Sequence, residues 1–216
     1  MPEILKQVPV SIARLMLGLA GLGNLIQVYG SQYRYLAGIL ATLIALLLIA
    51  NFFVDKEGFL PQLENSIVAS VFPTFSMAIM ILATYIVPFS SQVALYFWYG
   101  GIILHILLMV LFSIGFIFNF DIRKVFPSYF IVYLGIVVAS VTAPTFNYIQ
   151  LGQIIFWVDF SFYMVLLPTV TYRVLVIREI KKAALPTISI FTAPAGLCLA
   201  GYMSVFANKN LMIVGG

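Results

Sequence analysis

The chain has 216 residues, of which 63% are hydrophobic and only 8% are charged, and its mean hydropathy is +1.11. Because an average soluble domain is about 25% charged, this composition excludes a soluble fold and indicates an integral membrane protein. The net charge of +4 comes from basic residues scattered at segment ends, which argues against nucleic-acid binding, and the single cysteine, Cys198, excludes an intrachain disulfide and a multi-cysteine metal site.

Seven stretches of the chain are long and apolar enough to cross a membrane, which takes about 20 residues in a helix. The first is longer than the apolar core of a signal peptide, so it is interpreted as a retained helix. We predict an all-α polytopic membrane protein of tandem helical hairpins, a single transmembrane domain over residues 1–216. The spans are predicted at about 8–29, 34–54, 67–88, 92–118, 128–148, 152–176 and 186–207, forming hairpins at about 8–54, 67–118 and 128–176 and half of a fourth from 186.

The connections between these spans alternate in charge. Those after the second, fourth and sixth spans carry acidic and basic residues, whereas GSQYR, FSSQ and NYIQLG, after the other three, are nearly uncharged. Of the eleven lysine and arginine residues, only Arg34 and Lys209 fall on the poorly charged side. Because the side rich in lysine and arginine is normally cytoplasmic, we predict a cytoplasmic N-terminus in a plasma membrane, such as the bacterial inner membrane.

A proline followed by small hydroxyl residues recurs at the start of each odd-numbered span. The motifs are VPVS, FPTFS, FPSYF and LPTIS, with prolines at Pro9, Pro73, Pro127 and Pro186, and the interval is about 60 residues. An interval of two spans with their loops indicates a repeated hairpin. Chance placement is the alternative, because membrane helices tolerate proline.

The odd-numbered spans are also richer in small and hydroxyl residues than the second and fourth, which read like LAGILATLIALLLIA. Backbone freed by proline is tolerated in a membrane where it faces protein or a watery cavity rather than lipid. We therefore predict that the odd helices lie inside, around a central pore, and the even helices outside. The predicted pore-lining or kink residues are Pro9, Ser11, Pro73, Thr74, Ser76, Pro127, Ser128, Thr142, Pro144, Pro186, Thr187, Ser189 and Pro194.

Five segments in a fixed order carry a resemblance to a known family. They are VPVSIARLMLGLAGLGN, FPTFSMAIMILATY, PSYFIVYLGIVVASVTAP, FYMVLLPTVTYRVL and LPTISIFTAPAGLCLAGY. Together they cover nearly the whole chain and resemble the tellurite-resistance/dicarboxylate transporter family, which includes slow-type, voltage-dependent anion channel-like proteins of plants, bacterial tellurite-resistance homologues and fungal malate carriers.

The resemblance implies ten helices in five hairpins around a pore lined by the odd helices, with one pore in each protomer of a trimer. This chain has about seven of the ten expected spans, so the family's gating phenylalanine, on the ninth helix, has no matching position here. We expect the sequence to be a C-terminally truncated piece of a longer protein.

Three ionisable residues within the spans are candidates for function, because charged groups in a membrane are costly and usually functional. Arg14 would attract anions at the cytoplasmic mouth, or would simply extend to the nearby interface. Asp159 would carry a proton or pair with a cation, or would anchor two helices by hydrogen bonding. His105, the only histidine, would relay protons or join two helices. The structural alternative is favoured for each.

Two functions fit these features. The first is an anion channel-like pore for small inorganic or organic anions, whose wall of freed backbone and hydroxyls binds anions weakly. The second is a proton-coupled carrier of C4-dicarboxylates or tellurite-type oxyanions, which ranks lower because neither Asp159 nor His105 is on an odd span. A retinal protein is excluded because the seventh span has no lysine. With no nucleophile–base pair or metal cluster, we predict no enzyme, no cofactor, no metal and no nucleic-acid partner.

Overall fold

The chain folds into apolar helices long enough to cross a membrane. The computed structural model describes residues 8–117, 122, 125–177 and 193–207. Six spans lie within this part of the chain, at Val10–Tyr29, Ser31–Val54, Ser66–Ile86, Ser91–Phe116, Tyr129–Phe146 and Ile149–Ile177. The predicted all-α polytopic class is therefore confirmed, with the first six spans close to their predicted bounds. The predicted seventh span is represented by a shorter apolar helix, Ala193–Val205, because residues 178–192 lie outside the described part.

Several spans consist of more than one helical segment. Short 3-10 turns precede and follow the first helix, at Val10–Ile12 and Gln27–Tyr29, and another ends the fifth span at Ala143–Phe146. The helices are α1 (Ala13–Ile26), α2 (Ser31–Val54), α3 (Lys56–Gln62), α4 (Ser66–Val71), α5 (Thr74–Ile86), α6 (Ser91–Phe112), α7 (Tyr129–Leu134), α8 (Val137–Thr142), α9 (Ile149–Tyr172) and α10 (Ala193–Val205). The fourth and sixth spans end in π-helical turns, Ser113–Ile117 and Arg173–Ile177.

The reversals between helices follow from particular residues. Gly30 joins α1 to α2 with a φ of 149°, which side-chain-bearing residues rarely adopt. Asn147 turns the chain from the fifth span into α9 with a left-handed φ of 61°, a conformation that asparagine tolerates. Asn65 caps α4, its side chain accepting a 3.0 Å hydrogen bond from the Ile67 N–H.

The chain divides into two compact units, Met1–Leu104 and His105–Gly216, and α6 runs across the division. In the first unit α1 packs against α2 and α5. The buried residues Ala13, Met16 and Ala20 lie three and four positions apart, which places them on one face of α1. Two of the three are alanines, and small residues let membrane helices approach closely.

In the second unit α8 lies against α9 and α10, and α7 lies against α9. Glycines on α9 and α10 make this close approach possible. A Cβ at Gly152 would meet the Ala143 Cβ at 2.7 Å, and one at Gly201 would meet the Val137 Cγ2 at 2.5 Å. The Ser140 hydroxyl adds a 2.8 Å hydrogen bond to the Gly152 carbonyl oxygen.

Burial separates the third and fifth spans from the others. The buried share is 61% for the third span and 72% for the fifth, against 22% for the fourth and 17% for the sixth. The first and second spans are both 28% buried, so burial does not distinguish these two. Of the spans with proline motifs, the third and fifth are therefore the ones most enclosed by protein, and they are the first to be considered as a site.

Candidate functional site

The third span is interrupted where the FPTFS motif lies. Helix α4 ends at Val71, and α5 begins at Thr74 with Pro73 as its N-cap residue. At such a position proline's missing N–H costs little, because the first N–H groups of a helix have no partner within it. The proline therefore begins a second helix rather than bending a continuous one.

The hydroxyl groups of this motif are turned onto the chain itself. Thr74 Oγ1 donates to the Val71 carbonyl oxygen at 2.8 Å, and Ser76 Oγ donates to the Pro73 carbonyl oxygen at 2.7 Å. Both side chains are buried, at 3% and 0% exposure. The Thr74 hydroxyl thus supplies a donor to the Val71 carbonyl at the interruption, whereas the Pro73 carbonyl also accepts from Met77 N–H at 3.1 Å.

The fifth span follows a buried proline and is itself interrupted by a segment without proline. Pro127 and Ser128 are buried just before α7, and Phe130 N–H donates to the Pro127 carbonyl oxygen at 3.2 Å. The interruption lies between Leu134 and Val137, where α7 ends and α8 begins. We call this interruption the fifth-span break.

The far end of the fifth span holds two further predicted residues. Thr142 is buried, and its Oγ1 donates to the Val138 carbonyl oxygen at 2.7 Å. Pro144 is partly buried and lies in the first turn of the 3-10 segment that ends the span. As in the third span, the hydroxyl bonds to the backbone of its own span.

The first span differs from the third and fifth. Pro9 is exposed and extended, with φ −72° and ψ 141°, and it precedes a 3-10 turn that contains the partly buried Ser11. Arg14 is exposed, and its Nε lies 3.4 Å from the Ser11 carbonyl oxygen. Asn51 fixes this end of the span, its Nδ2 donating to the Val8 carbonyl oxygen at 2.8 Å.

The seventh span is only partly described. Pro186, Thr187 and Ser189, which carry the LPTIS motif, lie outside the described residues. Pro194 is buried at the second position of α10, where proline is well tolerated. The equivalence of LPTIS with FPTFS therefore stays a prediction.

Both candidate titratable residues of the even-numbered spans contact the fifth-span break. The His105 Nε2 lies 3.1 Å from the Val132 carbonyl oxygen, whose helical donor would be Ile136 N–H, inside the break. Asp159 lies near the backbone N–H of Val137, the first residue after the break. His105 and Asp159 are each 0% exposed, so both lie against protein rather than lipid.

The Asp159 carboxyl also meets the chain's only cysteine. Cys198 Sγ, on α10, donates to Asp159 Oδ2 at 3.3 Å. Asp159 Oδ1 is buried and accepts no hydrogen bond of good geometry within the described part of the chain. Three spans of the second unit thus meet at one carboxyl group.

A comparison of the sequence with known protein families adds to this arrangement of apolar spans and interrupted helices. The sequence model of the voltage-dependent anion channel family matches residues 7–213. The chain belongs to that family. The resemblance to the tellurite-resistance/dicarboxylate transporters is thereby confirmed. No curated protein sequence matches the chain significantly.

This member of the voltage-dependent anion channel family also has polar contacts at residues that lie outside its four proline motifs. Tyr85 crosses the first unit: its hydroxyl donates to the Ala20 carbonyl oxygen at 2.6 Å, and its ring fills the space where Gly38 lacks a side chain. Arg34 stacks on the same ring, with its Cζ 4.4 Å from the ring centroid. The sequence signal for this contact is Arg34 itself, one of the two basic residues on the poorly charged side.

Proposed function

We propose that this member of the voltage-dependent anion channel family carries small anions across a membrane passively. The observation that carries the proposal is the combination of burial and neutrality in the third span and in the fifth. Residues 66–86 and 129–146 include no charged side chain and are the most buried spans of the described chain.

The chemistry of these spans suits rapid passage. Their buried hydroxyls, such as those of Thr74 and Thr142, donate to backbone carbonyls of their own span. With these protons already donated and no fixed positive charge in either span, an anion would be held only weakly. A site that binds a partly dehydrated ion weakly lets the ion leave again, as conduction requires.

A second candidate function is a proton-coupled carrier of C4-dicarboxylates or tellurite-type oxyanions. One observation favours it: His105 and Asp159 both lie at the fifth-span break, although they belong to the fourth and sixth spans. The objection that neither residue is on an odd-numbered span is weakened by these contacts. Coupling would require at least one of them to exchange a proton with the transport path.

The two functions differ in their dependence on a proton gradient. The full-length protein would be reconstituted in liposomes, and chloride and nitrate flux would be driven by a potassium diffusion potential, with and without a protonophore. We expect flux above that of protein-free liposomes, unchanged when the proton gradient collapses. Loss of flux on adding the protonophore, or uptake restricted to dicarboxylates, would favour the carrier.

We further propose a cytoplasmic N-terminus in a plasma membrane and assembly into a homotrimer. The skew of lysine and arginine toward one set of connections supports the orientation, and the trimer rests on family resemblance alone. Labelling of single cysteines introduced into the GSQYR and REIKK segments of a Cys198→Ser background would test the orientation. We expect an impermeant reagent added outside intact cells to label only the first.

A further inference from the structure

Arg34 is held in one orientation at the end of the first hairpin where Gly30 turns the chain. Its Nη2 donates to both the carbonyl oxygen and the hydroxyl oxygen of Thr84, at 3.1 and 3.2 Å. The Thr84 hydroxyl can accept because its own proton goes to the Ile81 carbonyl oxygen at 2.7 Å. The face of the guanidinium rests on Tyr85, in cation–π geometry.

No negative charge in the described part of the first unit lies near this arginine. The acidic residues described there are Asp55, Glu57 and Glu64, and all follow the other end of α2. Asp55 comes 21 positions after Arg34 along a helix that rises 1.5 Å per residue, a separation of about 30 Å. Arg34 is partly buried, so its charge is partly desolvated without a counter-charge among the described residues of its unit.

Several hydrogen-bond donors of Arg34 are unused. A guanidinium has five N–H groups, and within the described chain only those on Nη2 bond to protein. Nε is buried and has no hydrogen-bond partner there. The Tyr85 hydroxyl also lies near the guanidinium, although its own proton goes to the Ala20 carbonyl oxygen. Holding the group still while leaving donors free lowers the entropic cost of binding an anion.

We propose that Arg34, positioned by Thr84 and Tyr85, forms an anion-binding site at the Gly30 end of the first hairpin. The ligand is a singly charged anionic group, either a free halide or nitrate ion or the phosphate of a lipid headgroup. The inference rests on the surroundings of Arg34 and does not require that the protein transports anions. Its test is therefore a binding measurement rather than a flux measurement.

The test uses bromide as the probe. Thermal unfolding of the full-length protein in neutral detergent would be followed while sodium bromide replaces sodium gluconate at constant ionic strength. We expect a saturable rise in Tm for the wild type. In Arg34→Gln the half-saturating bromide concentration should rise about tenfold or more. A tenfold rise corresponds to a loss of about 1.4 kcal/mol of binding free energy. Arg34→Lys should lie between them, since lysine keeps the charge but not the planar fork.

Lys56→Gln is the control, because Lys56 is an exposed cation just beyond the other end of α2. It should keep the wild-type bromide response. If Arg34→Gln does not fold, Thr84→Val keeps the charge while removing one contact that orients it, and should weaken bromide binding several-fold. If the wild type responds to bromide, an equal response in Arg34→Gln or Thr84→Val would overturn the proposal.

The two sources of the anion are separated by lipid composition. The protein would be placed in nanodiscs of phosphatidylcholine alone or with phosphatidylglycerol. Stabilisation by phosphatidylglycerol that is lost in Arg34→Gln, without a bromide response, would assign the site to a headgroup phosphate. A bromide response that is the same in both lipids would assign it to a free anion. Absence of both responses in the wild type would refute the site.

Discussion

The imidazole of His105 donates to the carbonyl oxygen of Val132 across 3.1 Å, from the fourth span to the fifth. The acceptor is a carbonyl next to the fifth-span break, where the helix no longer supplies its usual donor. A buried backbone group without a partner is costly in a membrane. The histidine thus takes the place of a missing helical hydrogen bond.

Replacing His105 should measure how much that hydrogen bond contributes to the free energy of unfolding. In His105→Leu the Val132 carbonyl loses this donor, and we expect a loss of about 0.6–2 kcal/mol in the free energy of unfolding. His105→Gln, whose amide can donate, should restore part of it. The control is Leu107→Ala, an exposed position two residues further on. Unfolding in detergent would report the differences, and a His105→Leu protein as stable as the wild type would contradict the role.

The thiol of Cys198 should be replaceable only by another donor. Cys198→Ala removes the hydrogen bond to Asp159 Oδ2, whereas Cys198→Ser keeps a proton to donate. We expect the alanine variant to unfold more easily than the serine variant, by about 1 kcal/mol. Equal stability of the two in a thermal melt would show that the contact between thiol and carboxyl contributes nothing.

Close packing of Tyr85 can be tested with a pair of glycines. A Cβ at Gly38 would lie 2.6 Å from the Tyr85 Cδ1, whereas one at Gly18 meets nothing within 4 Å. Gly38→Ala should therefore destabilise the protein by about 1–3 kcal/mol, because the ring must move from the Ala20 carbonyl. Gly18→Ala should be neutral or slightly stabilising. Chemical denaturation would separate the two, and similar midpoints would argue against this packing.

Removing proline from the third span should alter transport. In Pro73→Ala the restored N–H allows α4 and α5 to join into one helix, which would change the shape of a path along this span. We expect anion flux to change several-fold, and Pro186→Ala to behave alike if LPTIS is the equivalent position. Leu46→Ala, on the exposed side of α2, should leave flux nearly unchanged. Equal effects of all three would contradict the inner placement of the prolines.

Much of the fold could be predicted because hydropathy is summed over about 20 residues. The first six spans follow from length and apolar composition, whereas Pro73, predicted as a kink in the third span, lies at the start of a second helix there. The charged segment after the second span, interpreted as a loop, instead contains α3, with Phe59 only 3% exposed. One buried aromatic residue in a seven-residue segment does not form a periodic pattern from which a helix could be predicted.

The site was harder to predict, for two physical reasons. The fifth-span break has no proline, since Gly135 is its only sequence signal, and glycine occurs in many unbroken membrane helices. Helices α6 and α9 are apolar on all sides, so no periodic pattern shows which face is inward. The expectation that even-numbered spans lie outside therefore hid the inward contacts of His105 and Asp159.

The fifth-span break has an electrostatic consequence. Where a helix stops, its last carbonyls carry partial negative charge, and where the next begins, its first N–H groups carry partial positive charge. His105, a donor, meets the carbonyl end at Val132, and Asp159, an acceptor, meets the amide end at Val137. Each side chain thus complements the partial charge of the helix end that it meets. Exchanging them, His105→Asp with Asp159→His, would set an acceptor against carbonyls and a donor against amides at the same depth in the membrane.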